Sequence, residues 1–316
     1  MGHPTVSIGM PVYNGANYVR RSVQSLLAQD YEDFELLISD NASTDETESI
    51  CRELAESDDR IRYFRNERNV GASQNYNKVF RLASGSFFKW AAHDDECHRM
   101  MLRRCVEVLE RAPARVTMVY PLAELIDEEG KTLRPVLDRI ESRDPKPHRR
   151  LARLLRSLSK CDPIFGLFKT EYLRKTQLIG SFFGADNVLL GELAMLGEIW
   201  ELDEVLFRLR EHRGRSMRAN QSARARAAWY DPAAAQQSVV MPDWERMVWE
   251  LLKSAHRSSL PPEEKLRCCL VILGIHYWGR FKNAGGRMKS RLKASLGVGK
   301  SGKRANARAG VLRRAE

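Results

Sequence analysis

The sequence has little that would staple, export or embed it. Its six cysteines, at positions 51, 97, 105, 161, 268 and 269, include no C-x-x-C pair, and the adjacent Cys268-Cys269 suits neither a zinc knuckle nor an ordinary disulfide framework. Reduced thiols in a cytosolic compartment are the expectation. No apolar run approaches the roughly 20 residues that span a bilayer. The N-terminal Met-Gly-His-Pro-Thr leads straight into a strand-like segment without the charged and apolar regions of a signal peptide, and Val6 breaks the myristoylation pattern. These absences predict a cytoplasmic chain, soluble or held peripherally at the inner face of the membrane. There is no internal repeat.

What is present is a large apolar content. At 316 residues and 43% hydrophobic, the chain can bury a sizeable core, which excludes disorder throughout. Lys and Arg number 52 against 41 Asp and Glu, a formal net charge of +11. All of that excess lies beyond Gly279, where twelve Lys or Arg face only Glu316. Residues 1–279 are neutral, so the basic balance describes a tail. A tail of this kind has an anionic membrane surface as its candidate partner, because each basic residue near such a surface adds about 1 kcal/mol. Non-specific nucleic-acid binding is the less favoured reading.

The first third alternates two periodicities. Thr5–Met10, Phe34–Ser39, Ile61–Phe64 and Phe87–Ala91 are short β-branched or aromatic runs, read as strands. Between them Val19, Val23, Leu26 and Leu27 follow the spacing of one buried helical face. Ser43 and Glu46 form a capping-box pattern before a helix carrying Ile50 and Leu54. Strands separated by helices imply crossover connections and a parallel sheet, whose ligand site lies beyond the carboxyl ends of the strands. There the chain places Pro11-Val12-Tyr13-Asn14-Gly15, Asp40-Asn41-Ala42-Ser43, Arg68-Asn69-Val70-Gly71 and His93-Asp94-Asp95-Glu96.

Farther on, a helix near Arg99–Arg111 and a strand near Val116–Tyr120 are expected. The charged, Pro-broken stretch Asp138–Arg150 reads as a surface loop leading into a basic helix at Leu151–Ser159. Gly184-Ala185-Asp186 precedes an apolar helix, Trp200–His212 reads as two short strands, and Met217–Ala235 as helix or linker. Helices at Asp243–Ser254 and Pro262–Trp278 follow. The expected organisation is one large domain over 1–216, a helical extension over 217–279 and a basic tail over 280–316.

Asp94-Asp95 are adjacent carboxylates after a buried strand. Like charges this close need a compensating cation, and Mg²⁺ or Mn²⁺ shared with phosphate oxygens would serve. On spacing alone, a solvated helix N-terminus fits equally well. His93, Cys97 and His98 lack a second ligand cluster for zinc. Asp40 could accept a bond from a base or ribose or simply start a turn. Asp186 reads as an N-cap, and His212 carries no distinguishing signal by itself.

The string VSIGMPVYNGANYVRRSVQSLLAQDYEDFELLISDNASTDET resembles the opening of glycosyltransferase family 2, inverting nucleotide-sugar enzymes of GT-A fold. The resemblance continues through Asn69-Val70-Gly71, FFKWAAHDDE, FFGADNVLLGELAMLGEIWEL and FRLREH, from about Val6 to His212. It implies a Rossmann-like mixed, mostly parallel sheet flanked by helices, with 1–216 as the catalytic domain, about 1–97 binding the nucleotide-sugar and 98–216 forming the acceptor side. It further implies that Pro11, Tyr13 and Asn14 shape the nucleoside pocket and Asp40 bonds the base. Asn69 and Gly71 would lie on the donor side, Asp94 against ribose and diphosphate, and Asp95 on a Mg²⁺ or Mn²⁺ ion. Asp186 would be the general base, with Arg210 and His212 a basic pair near diphosphate or metal. Two departures stand out: Ala92 replaces an acid common in the metal motif, and Ser73-Gln74-Asn75-Tyr76-Asn77 lacks a common Arg. The activity implied is transfer from a UDP- or dTDP-sugar to a glycan or lipid-linked acceptor, without the Q-x-x-R-W motif of processive synthases. A sugar-phosphate nucleotidyltransferase would be expected to carry a basic Gly-rich loop after the first strand, where this chain has PVYNGAN. An adaptor with a degenerate α/β domain would not be expected to keep all four aspartates.

Overall fold

A computed structural model describes residues 3–136, 139–157, 162–215, 219–233 and 241–276. The chain divides into two units, Met1–Leu273 and Gly274–Glu316. The expected basic tail lies outside the described residues, as do Cys161 and the end of the helix expected to reach Trp278. The other five cysteines are unpaired thiols.

The first unit begins with the expected alternation: β1 (Val6–Val12), α1 (Val19–Leu27), β2 (Phe34–Asp40), α2 (Thr47–Ser57), β3 (Ile61–Arg65), α3 (Ala72–Leu82) and β4 (Phe87–Trp90). Then come β5 (Glu96–Cys97), α4 (Met101–Arg111), β6 (Val116–Ile126), β7 (Thr132–Pro135), α5 (Pro147–Ser157), β8 (Leu167–Lys169), α6 (Thr170–Leu173), α7 (Ala185–Leu196), β9 (Glu198–Arg210), α8 (Ala223–Tyr230) and α9 (Asp243–Arg257). A further helix covers 262–276. The strands form a nine-stranded sheet in the order β3-β2-β1-β4-β8-β6-β9-β5, with β7 on β6. The β3-β2-β1-β4 half and the β6-β9 pair are parallel, whereas β8, β5 and β7 run antiparallel to their neighbours.

Side chains alternate across this sheet. Val6, Ile8 and Met10 face a core with α1 and α4, while Phe88 and Trp90 face a second core with α3 and α7. Gly9 brings α3 close to β1, since a Cβ there would stand 2.6 Å from Val79 Cγ2. A third cluster joins Leu151 of α5, Val188 of α7, Met247 and Leu251 of α9, and Cys268 and Ile272. It packs α9 and the helix over 262–276 against α5 and α7.

Strand order reverses between β1 and β4, so a crevice opens at their carboxyl ends. The register aligns Val12, Asp40 and Arg65 across the rim of β1, β2 and β3.

Three local expectations fail. Ser43 and Glu46 form no capping box: Glu46 sits at the N-cap without a side-chain bond, and Asp45 Oδ1 takes the Thr47 amide and hydroxyl. Residues 198–210 form one 13-residue strand, because register shifts against β6 absorb the irregularity read as a break. Finally, Gly184, in the left-handed region at φ +84°, caps α7, and Asp186 lies in its first turn. A Cβ at such a φ is strained, so glycine takes the cap and leaves Asp186 for another role.

Candidate active site

The rim at the carboxyl ends of β1, β2 and β3 is built from loops clamped to one another. Asn14, at φ +50°, donates its amide to Ser43 Oγ at 2.9 Å, and its Oδ1 accepts from the Thr44 amide at 2.9 Å. Pro11 is buried within β1, while Tyr13 is 43% exposed, an aromatic face at the crevice rim. Asp40 is fully buried. Its carboxylate accepts from the Ser43 amide at 2.9 Å, the Tyr63 hydroxyl at 2.8 Å and the Arg65 guanidinium. These partners hold the Asn41–Ser43 turn in place. Tyr63 and Arg65 are two residues apart on one face of β3, a spacing visible in the sequence once the register is known.

Asn41 links this turn to the next loop. Its side chain donates to Asn69 Oδ1 at 2.8 Å and accepts from Asn66 and the Val70 amide, both at 2.9 Å. Asn69 Oδ1 also receives the Gly71 amide at 2.8 Å. Gly71 adopts φ +87°, and a Cβ on it would lie 2.4 Å from the Tyr230 carbonyl oxygen. Both the turn and the passage of α8 therefore require glycine.

The acidic motif follows β4. Asp94 Oδ2 pairs with His212 Nε2 at 2.8 Å, and the His212 ring lies 4.8 Å from that of Tyr18. Burial alone would raise the Asp94 pKa, but His93 and His212 outweigh it and hold the carboxyl down at about 2. Asp95 behaves oppositely. Burial and the charge of Asp94 push it well above the usual carboxylate range, against one bond from the Arg210 amide at 2.9 Å. The pair therefore splits into an ionised member and one short of positive charge.

Arg210 is fully buried, and its guanidinium is committed within the fold. It donates to the carbonyls of Asp94 at 2.9 Å, Asp127 at 2.9 Å and Glu128 at 2.8 Å, and it pairs with Glu96. It fastens the acidic motif to the turn after β6. Glu96, the last acid of the motif, also pairs with Arg21 and Arg208.

Asp186 accepts from the Asn187 amide at 2.9 Å. Tyr76 links it to the other acids: burial first, then the charges of Asp94, Asp95 and Asp186, raise the pKa of its hydroxyl. The helix carrying Tyr76 is bonded on three sides. Asn75 bonds Ser39, Tyr76 carbonyl accepts from the Trp90 indole at 3.1 Å, and Ser73 and Asn77 bond the Ile179 carbonyl at 2.8 and 2.9 Å. The Asn-rich run that departs from the family pattern thus joins β2, the strand before the acidic motif and the approach to α7. Sequence reasoning also missed Asp162, whose charge adds to the raising of Asp95; Asp-Pro at the start of a short 3-10 turn carries no signal of that proximity.

Among the described residues there is no group of three metal-ligating side chains. The donor chemistry still suits a hard cation: Asp95 is a buried carboxyl needing positive charge, and Mg²⁺ or Mn²⁺ commonly binds through one or two carboxylates together with substrate phosphates. His212 beside it has its Nε2 on Asp94.

Comparison with known proteins bears on the family and the fold. The model of Glycosyl transferase family 2 matches residues 7–176. An uncharacterized glycosyltransferase of Rickettsia felis is 39% identical over 133 residues, 42% of this chain and 21% of that protein. A GalNAc(5)-diNAcBac-PP-undecaprenol beta-1,3-glucosyltransferase of Campylobacter jejuni is 35% identical over 94 residues, 29% of this chain and 30% of that protein. The chain thus spans well under half of these relatives. Among solved structures, S. aureus TarS 1-349 in complex with UDP superposes with a TM-score of 0.61 at 16% identity, over 86% of this chain and 72% of TarS. A Pyrobaculum calidifontis mannosyltransferase in complex with GDP-Man and Mn²⁺ superposes with a TM-score of 0.54 at 18% identity, over 95% and 82%. The fold is that of GT-A glycosyltransferases, and with its family model covering more than half of its length the chain belongs to glycosyl transferase family 2.

Proposed function

We propose that the protein is an inverting glycosyltransferase that moves a sugar from a UDP- or dTDP-sugar to a hydroxyl of a glycan or lipid-linked acceptor. The carrying observation is that the charges of Asp94, Asp95 and Asp186 all bear on Tyr76 of α3, whose carbonyl is bonded by Trp90 at the end of β4. The UDP bound to TarS and the undecaprenyl-diphosphate acceptor named for the Campylobacter relative support the donor and acceptor classes.

In this reading Tyr13 and the Asn14–Ser43 clamp frame the nucleoside, and Asp40 acts through the turn it holds. Asn69 and Gly71 shape the facing loop. Asp94, kept ionised by His93 and His212, faces the ribose and diphosphate. Asp95, with His212 nearby, would hold a Mg²⁺ or Mn²⁺ ion that, when bound, stabilises charge on the departing diphosphate. Asp186 takes the proton of the attacking acceptor hydroxyl, a role worth roughly 10² to 10⁴ in rate. Arg210 keeps the acidic motif in register rather than touching the diphosphate.

The test is a screen of UDP-, dTDP- and GDP-sugars with and without Mn²⁺, following donor hydrolysis and the anomeric configuration of any product. Metal-stimulated turnover with inversion is expected. Retention of configuration, or turnover independent of Asp186, overturns the assignment.

A further inference from the structure

The surface formed by the C-terminal helices has no role in the site described above. On α5, Arg149, Arg153 and Arg156 recur at i, i+4 and i+7 and are all exposed, so they form one cationic stripe. Arg149 has only a long contact to Asp144, at 3.8 Å, and neither Arg153 nor Arg156 has an ion-pair partner among the described residues. The acids close by are engaged elsewhere: Glu264 by His148 at 2.8 Å and by Arg267 at 2.9 Å, Glu263 by Arg267. The His148–Glu264 bond ties α5 to the helix over 262–276, and Leu151 shares a core with Cys268 and Ile272. The outward side of that neighbouring helix carries Leu266 and Leu270, each 61% exposed and one turn apart. In the sequence, this helix leads into the segment with twelve Lys or Arg beyond Gly279.

We infer that the outward faces of α5 and of the helix over 262–276 dock the enzyme on an anionic phospholipid surface, the arginine stripe meeting headgroups and Leu266 and Leu270 entering the acyl boundary. Unpaired arginines call for an anionic partner. An aliphatic ridge on the helix tied to α5 through His148 and Glu264 has no use on a nucleic acid, whose grooves and phosphates offer it nothing to bury against, whereas the boundary between headgroups and chains accepts it. The surface contains no residue of the candidate site, so donor turnover in solution tests the activity and vesicle binding tests this inference separately.

The experiment is sedimentation of the full chain with vesicles of phosphatidylglycerol in phosphatidylcholine, and with phosphatidylcholine alone. Binding to the anionic vesicles only, weakened by salt, is expected. Each basic residue near such a surface is worth about fivefold, so the variant carrying R149Q, R153Q and R156Q should lose on the order of a hundredfold in partition. L266S with L270S should lose at least about tenfold, judged from the apolar area withdrawn, and this loss should persist when salt is raised. All five positions are exposed, so both variants should keep the wild-type circular dichroism and donor turnover. Equal partition of wild type and the arginine variant would assign binding to the tail alone and overturn the inference. So would failure of the wild type to bind anionic vesicles, or binding to duplex RNA in preference to them.

Discussion

Replacing Arg210 by lysine separates a clamp from a diphosphate ligand. The guanidinium donates to three carbonyls and pairs with the Glu96 carboxylate from a fully buried position. A lysine ammonium presents three donors from a single point, so it can keep the Glu96 pair or the Asp127 and Glu128 carbonyls, but not both. Two lost bonds from a charged donor, at about 1.5 to 3 kcal/mol each, give about 3 to 6 kcal/mol. For a unit of this size that corresponds to a fall in the unfolding midpoint of roughly 6 to 24 °C. Circular dichroism melts would read it, alongside donor KM measured well below the midpoint. A stable variant with an unchanged midpoint and a raised donor KM would refute the clamp and return Arg210 to the diphosphate.

Asp186→Asn should keep the melt and donor binding while transfer falls roughly 10² to 10⁴-fold; near-normal turnover in a coupled assay removes Asp186 as the base. Asp95→Asn should raise the midpoint of the metal-free protein, since it removes a carboxyl that burial and Asp94 disfavour in its charged form, while abolishing Mn²⁺ stimulation; a lower midpoint contradicts that trade. Gly71→Ala sets a Cβ against the Tyr230 carbonyl at a positive φ and should cost about 1 to 3 kcal/mol from the backbone strain alone, with weaker donor binding by titration calorimetry. Glu35 is raised by burial but lowered overall by Ser7, Ser84 and Arg62. Its contribution is therefore complete above the unfolded pKa of about 4.3 and lost as pH falls through the lower folded value. Between about pH 5 and pH 3, denaturant melts of the wild type should weaken more steeply than those of Glu35→Gln; parallel curves would sink the point.

The strands and helices up to Trp90 were legible because period-two and period-3.6 patterns report directly on which face is buried. Their carboxyl ends pointed to the rim for the same reason. The capping box failed because a local pattern cannot see Asn14, whose amide takes Ser43 Oγ. The internal bonding of Arg210 was not legible because two of its acceptors are carbonyls 83 and 82 residues distant in the chain, and a carbonyl leaves no mark on the sequence. The unity of β9 was hidden by the register shifts that its partner β6 supplies. Asp162 acts on Asp95 from a segment remote in the sequence, so its influence leaves no local mark.

The three-sided bonding of α3 bears on how this chain can be recombined with its relatives. Exchanging residues 1–97 for those of another family member would carry Ser73 and Asn77 away from the Ile179 backbone they hold. Ile179 lies on the approach to α7 and Asp186. A chimera that is to keep α7 in place should therefore take the stretch around Ile179 from the same parent as α3, although more than 80 residues of sequence lie between the two.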